Sequence, residues 1–163
     1  MIPKIYQRRA AFALLALSIG GAVVAQAQNA PAPGAARQAV EERRAAFKLL
    51  GSNFRPLGAL LKGEVGYSAA EVKKRIAREV FIGGLLPEVF SDASNLGEPD
   101  SKAKPEVWTN RADFDKKLVA FQEHLAALAA VNDKDQGPSD AFKAALTTVA
   151  QDCKGCHDDY KLK

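Results

Sequence analysis

The apolar positions of the C-terminal segment alternate in steps of four and three: Phe142, Leu146, Val149, Cys153, Cys156 and Tyr160. An α-helix turns once in about 3.6 residues, so this repeat lines all six up on one face. A helix with such a stripe must bury it, and here the stripe carries both cysteines of the chain. The segment reads as a helix from Pro138 or Ser139 almost to the C-terminus, in need of amphipathic neighbours.

Three further segments supply them. From about Ala35 to Leu61, the residues Val40, Phe47, Leu50, Phe54, Leu57 and Leu61 mark one face. Pro56 lies inside this pattern and predicts a kink or an early end, because proline removes a helical hydrogen bond and crowds the preceding turn. The next segment opens at Ser68, where Ser68-Ala-Ala-Glu71 has the capping-box form. Val72, Ile76 and Val80 continue its stripe, Gly83 and Gly84 weaken it, and Pro87 closes it. Ser91 to Lys104 reads as a polar loop, with "KPEVW" leading out of it. The third segment runs from near Asn110 to about Val131, with Phe114, Leu118, Phe121, Leu125 and Leu128 again in steps of four and three. No segment shows sustained period-two alternation. The expectation is an all-α chain: an antiparallel four-helix bundle, up-down-up-down, joined by mostly short loops.

The N-terminus reads as an address. Lys4, Arg8 and Arg9 precede the apolar run "AAFALLALSIGGAVVA", and Ala25-Gln26-Ala27 has the small-x-small form of a signal-peptidase site. Residues 1–27 are therefore expected to be a cleaved secretory signal, and residues 28–163 one domain of 163 less 27, or 136, residues. The run is short for a membrane span and contains Gly20 and Gly21. Without Lys4, Arg8 and Arg9 the basic count falls from 23 to 20 against 19 acids. A nearly neutral mature chain gives no argument for nucleic acid or an anionic membrane as partner, and no second stretch is long enough to span a bilayer. Export to the periplasm is expected.

In an oxidising compartment two thiols become a disulfide unless something claims them. Cys153-Lys-Gly-Cys156-His157 has the Cys-x-x-Cys-His form by which c-type haem is attached. Cysteines three apart share a helical face, each thiol can add to one vinyl group of the same porphyrin, and the adjacent imidazole can reach the iron. A redox-active disulfide lacks the βαβ context of a thioredoxin fold. A zinc site lacks further ligands, since only one other histidine is present. The single methionine is Met1, so a Met-ligated iron is excluded once the signal has gone. His124 is the only other imidazole and sits at the edge of the third apolar stripe. It reads as a half-exposed surface residue rather than a sixth ligand. The iron is expected to hold five ligands, the fifth being His157.

With the haem motif at its C-terminal end, the chain resembles the cytochromes c′, the class II c-type cytochromes. The resemblance rests on "CKGCHDDYK" in the last helix, on "RRAAFKLLGSNF" in the first and on "KPEVW" before the third. It implies that Cys153 and Cys156 carry the thioether bonds of one haem c and that His157 is the axial ligand. Arg43 matches a family arginine that pairs with a haem propionate; Arg44 is a weaker match. Phe47 stands where low-spin members carry a ligating methionine and high-spin members an apolar residue, so it is expected over the open face of the iron. Lys161, four residues after His157, falls where the family keeps a basic residue, often arginine, beside the proximal histidine. A lysine is a point charge rather than a planar fork. Trp108 resembles a family tryptophan packed near the haem.

The resemblance implies a protein that binds small neutral gases, NO above all and CO less readily, at a site closed by Phe47. In the family NO weakens the bond to the proximal histidine and can leave the iron five-coordinate. Phe47 offers no hydrogen-bond donor to bound O₂. The alternative is an electron carrier that cycles Fe(III)/Fe(II) with a redox partner protein. A peroxidase-like enzyme is disfavoured because no His/Arg acid–base pair is evident. Family members are often homodimers through their first two helices, which sets the expectation of a homodimer here.

Overall fold

The computed structural model describes residues 34–95 and 97–163. The expected signal segment, residues 1–27, lies outside them. Four long helices dominate: α1, Ala35–Leu61; α2, Ala69–Leu85; α3, Arg111–Asp135; and α4, Asp140–Tyr160. Between α2 and α3 come two 3₁₀ turns, Glu88–Phe90 and Asp92–Ser94, and a one-turn helix, Glu106–Thr109. The fold is the antiparallel four-helix bundle expected, with α1 on α2, α2 on α3 and α3 on α4. The α1–α4 side is the thinnest contact of the four.

The main core gathers Leu50 and Leu57 from α1, Val72 and Ile76 from α2, Leu125 and Leu128 from α3, and Phe142, Leu146 and Val149 from α4. A smaller cluster of Phe90, Val107, Phe114 and Tyr160 closes the bundle at the end where α4 finishes. Phe47 and Leu118 touch both clusters.

Several local expectations need correction. Of the two outcomes expected at Pro56, the early end does not occur, and α1 runs on to Leu61. A single lost backbone bond is outweighed by the burial of Leu57 one residue beyond it. Ser68 is extended and its side chain caps nothing. Instead its carbonyl accepts from the Val72 amide at 2.9 Å, while Glu71 pairs with Lys74 and Arg75. Val80 is 38 % exposed, and Glu79 takes the buried position instead. The helix passes through Gly83, where α3 side chains press on its backbone: a Cβ there would lie 2.7 Å from Leu125 Cδ1. The third helix outlasts its apolar stripe by a turn and ends at Gln136, in the left-handed region at φ 47°.

At the start of α4, the Ser139 hydroxyl accepts from the Phe142 amide at 3.0 Å, a side-chain N-cap. At its end, Lys104 Nζ donates to the carbonyls of Asp158 at 3.0 Å and Asp159 at 2.9 Å, placing a cation on the negative end of the helix. The chain then turns extended and pairs with the loop: Lys104 N donates to Tyr160 O at 2.9 Å, and Leu162 N to Lys102 O at 2.8 Å. The polar loop is thereby stitched to the residues that follow the Cys-x-x-Cys-His motif.

Candidate haem site

A cavity of about 630 Å³ opens on the thin α1–α4 side. This is within the range of small-molecule and cofactor sites. Its walls are the α1 residues Arg43, Phe47 and Lys48, the α4 residues Cys156, His157 and Tyr160, and Phe90, Lys102, Val107, Phe114 and Lys161 from the closing end.

His157 is the imidazole of this cavity. Burial, and then the charge of Lys161, lower its pKa, against a smaller opposing effect of Asp158. The ring is thus biased to the neutral form that can ligate a metal. The Phe47 ring lies 6.0 Å from it, centroid to centroid, at 57°. An edge-on contact with Phe90 at 6.0 Å steadies Phe47. From Phe90 the aromatic chain continues to Phe114 at 4.8 Å and on to Tyr160 at 5.3 Å. Tyr160 donates its hydroxyl to Asp113 at 2.6 Å. Desolvation, with that bond, raises its pKa well above the usual phenol value.

Both cysteines are free thiols. Cys156 lines the cavity, and Cys153, one turn earlier, packs against the main core. Burial pushes the Cys153 thiol up to about 11, helped by the charges of Glu79 and Asp152. Cys156 is also raised by burial, with Lys117 opposing. Among the described residues no three His, Cys, Asp or Glu side chains converge as a metal-ion site would require.

Arg43 is 4 % exposed and forms no ion pair among the described residues. Its guanidinium donates to Ser101 Oγ at 2.8 Å and to Val89 O at 3.4 Å. It also lies 5.2 Å from the centroid of Phe90 and 5.7 Å from that of Trp108. Burial lowers its pKa without any carboxylate to restore it. A buried cation without an anion is expensive and suits a wall meant to meet an acid group.

The structure therefore brings Arg43, Phe47, Cys156, His157 and Lys161 together around one cavity, while Cys153 packs against the main core and is not among its walls. Trp108 stands behind Arg43, donates its indole N–H to Ser91 O at 3.2 Å, and is not among the cavity walls. Lys161 reaches the cavity from the extended tail, since α4 ends at Tyr160, and not along a continuing helical face. His124 is engaged elsewhere, with Nδ1 2.8 Å from Asp152 Oδ2. Sequence reasoning did not single out Lys48, Lys102 or Phe90. Lys48 stands five residues after Arg43, but Lys102 and Phe90 reach the site only through loop packing.

These residues fit a c-type haem. Two unbridged thiols stand three apart on one helix, a neutral-biased imidazole follows them, and a buried cation without an anion waits across a cavity of cofactor size. The fold and the site together define a four-helix-bundle haem protein of the c type. The family model for cytochrome C′ matches residues 38–161. The cytochrome c′ of Alcaligenes xylosoxydans xylosoxydans is 33 % identical over 125 residues, covering 77 % of this chain and 94 % of that protein. The solved cytochrome c prime of Shewanella frigidimarina superposes with a TM-score of 0.70 at 36 % identity, over 78 % of this chain and 97 % of the other. A ferrous variant of cytochrome c prime from Alcaligenes xylosoxidans, solved with bound NO, superposes with a TM-score of 0.70 at 33 % identity, over 78 % and 96 %. The chain belongs to the cytochrome c′ family, and its cofactor is a covalently attached haem c.

Proposed function

We infer that the protein is a periplasmic gas-binding cytochrome whose iron takes one protein ligand, His157, and is open to NO and CO on the side closed by Phe47. The haem, when bound, supplies an iron that accepts neutral diatomic ligands and cycles between ferric and ferrous states. Cys153 and Cys156 tether it, and His157 offers a neutral ring nitrogen. Arg43 meets a propionate, turning the cost of its burial into a charge-assisted hydrogen bond. Phe47 keeps water from the open face, because its ring offers neither donor nor acceptor, and it yields to a small ligand by rotating. Lys161 holds a positive charge beside His157 and keeps its ring unprotonated.

The observation that carries this reading is that Phe47 and His157, ring centroids 6.0 Å apart, line one cavity together. His157 is the only histidine lining the cavity, and residues 28–163 contain no methionine. The test is an NO titration of the ferrous protein followed by optical and EPR spectroscopy. The reading expects NO to bind and the His157 bond to weaken or break. A ferrous protein that leaves NO unbound contradicts it.

One observation favours the second reading, electron transfer. Arg43, Arg44, Lys48, Lys102 and Lys161 line the cavity, and among the described residues no acid does. Such a rim would steer an acidic redox partner, and the association rate would then fall as salt rises. A homodimer through α1 and α2 would cover Leu49 and Phe81, which are 54 % and 69 % exposed. Light scattering of the purified protein reads its mass directly. The cleaved signal and the periplasmic address are tested by the N-terminal residue of the exported chain, expected to be Gln28.

A further inference from the structure

The core-facing positions of α2 and its C-cap run Val72, Ile76, Glu79, Gly83 and Leu86, again in steps of four and three. The middle of such a stripe calls for an apolar side chain, and the chain has a glutamate there, 2 % exposed. It is the only acid buried among the described residues. Its Oε1 has no hydrogen-bond partner. An unpaired carboxylate in an apolar core is strongly unfavourable, so the group retains its proton far above the usual carboxyl range. Burial is the cause, and it pushes Glu79 up to about 8.

The groups around Glu79 do not neutralise it. Arg75, one turn earlier on α2, pairs through Nη2 with Glu71, and its buried Nε is itself unpartnered. On α3, Gln122 donates to Gly83 O, one turn beyond Glu79, at 3.0 Å, and His124 is paired with Asp152, the neighbour of Cys153 on α4. From α1, Leu50 and Leu57 belong to the apolar cluster that also holds Ile76 and Ile82 of α2. The titratable neighbour that feels Glu79 is Cys153 of α4, whose thiol is raised by the Glu79 charge after burial itself. Cys153 also packs against the apolar cluster that holds Ile76 and Ile82, three residues before and after Glu79, so the buried carboxyl and the thiol that tethers the haem in the reading above border one low-dielectric core.

We propose that Glu79 is a redox-linked proton site: it takes up a proton when the attached haem accepts an electron from a one-electron donor, and gives it back on oxidation. On reduction one O–H bond forms at the Glu79 carboxylate with a proton from solvent, while the electron stays on the iron. Oxidation reverses both. A carboxylate in a low-dielectric interior favours the more positive ferric state, and by linkage the added electron strengthens the hold of Glu79 on its proton. The proposal rests on attachment at Cys153 and not on gas binding, so the two can fail separately.

The test is a spectroelectrochemical titration of the haem-loaded protein from about pH 6 to about pH 10, on both sides of the Glu79 transition. In wild type the reduction potential should step down with rising pH, by about 59 mV for each tenfold difference in acid constant between the two oxidation states. In Glu79→Gln, with an unchanged haem spectrum, that step should vanish, while any contribution from the propionates persists in both proteins. The reduced-minus-oxidised infrared spectrum should gain a protonated-carboxyl band in wild type that the variant lacks. Glu79→Leu, which restores the apolar stripe, serves if the amide does not fold. A pH step of equal size in wild type and variant overturns the proposal, as does a wild-type difference spectrum without the carboxyl band.

Discussion

Phe47 and His157 both line the cavity and lie against one another there, ring centroids 6.0 Å apart and planes inclined at 57°. One comes from the middle of the first helix and the other from the last turn of the fourth, on the side where those helices touch least. In the reading proposed above, a haem held by His157 would part the two rings and leave Phe47 over its open face.

Replacing that ring should change ligand entry first. Phe47→Ala removes the edge contact with Phe90 and the bulk over the open face. CO binding to the ferrous protein, followed by flash photolysis, should quicken by about tenfold or more, which corresponds to a barrier lower by about 1.4 kcal/mol. The half-buried ring also packs against the core, so stability should fall by roughly 2 kcal/mol. An unchanged CO rate would mean that Phe47 does not stand in the path. Phe47→Met should instead supply a sixth ligand and convert the ferrous spectrum to low spin.

Arg43 is buried without a carboxylate and spends its donors on Ser101 and Val89. Arg43→Gln in the haem-loaded protein should lower the thermal midpoint, for a loss of about 2 kcal/mol. It should also lower the reduction potential, because a cation beside the cofactor favours the added electron. Arg43→Lys should recover the potential better than the stability, since a point charge replaces a two-pronged donor. A potential equal to wild type in the glutamine variant would place Arg43 away from the haem.

The α4 helix that carries the haem motif begins on a side-chain cap. Ser139→Ala removes the acceptor for the Phe142 amide and should cost about 1 kcal/mol, read as a fall in midpoint in chemical denaturation with an unchanged slope. The haem spectrum should be untouched, because the cap lies five turns from His157 by the helix pitch.

Much of this was legible in the sequence. Strict steps of four and three in the third and fourth helices leave one choice of buried face, and the Cys-x-x-Cys-His spacing carries its chemistry within a single turn. Other features were hidden for physical reasons. Val80 is apolar, yet the repeat passes through Glu79, and only the burial in the folded bundle identifies the residue that bears the cost. The burial of Arg43 depends on Ser101, Phe90 and Trp108, which lie 47 to 65 residues away along the chain. Lys161 reads as a helical residue by spacing, but the loop strand at Lys102 and Lys104 pulls the tail straight and turns it to the same cavity from outside the helix.

Glu79 also gives the stability a sign. Its folded value of about 8 lies above the ordinary 4.5, so the folded state keeps a proton that the unfolded chain releases. That contribution is fully present below about pH 4.5 and is lost as pH rises towards about 8, at about 1.4 kcal/mol per unit. Glu79→Gln removes the loss. The variant should therefore match wild type more closely near pH 5 and exceed it by roughly 3 kcal/mol near pH 8, read as the difference between two sets of denaturation curves. A difference that does not change with pH would mean that Glu79 is charged in the folded protein.

The central claim is an iron with one protein ligand and an open face behind Phe47. The ferrous optical spectrum of the purified holoprotein, before any ligand is added, tests it most directly. A high-spin five-coordinate spectrum that changes on adding NO is the predicted result. A low-spin six-coordinate spectrum in the absence of ligand would contradict the claim and require a second side chain on the iron.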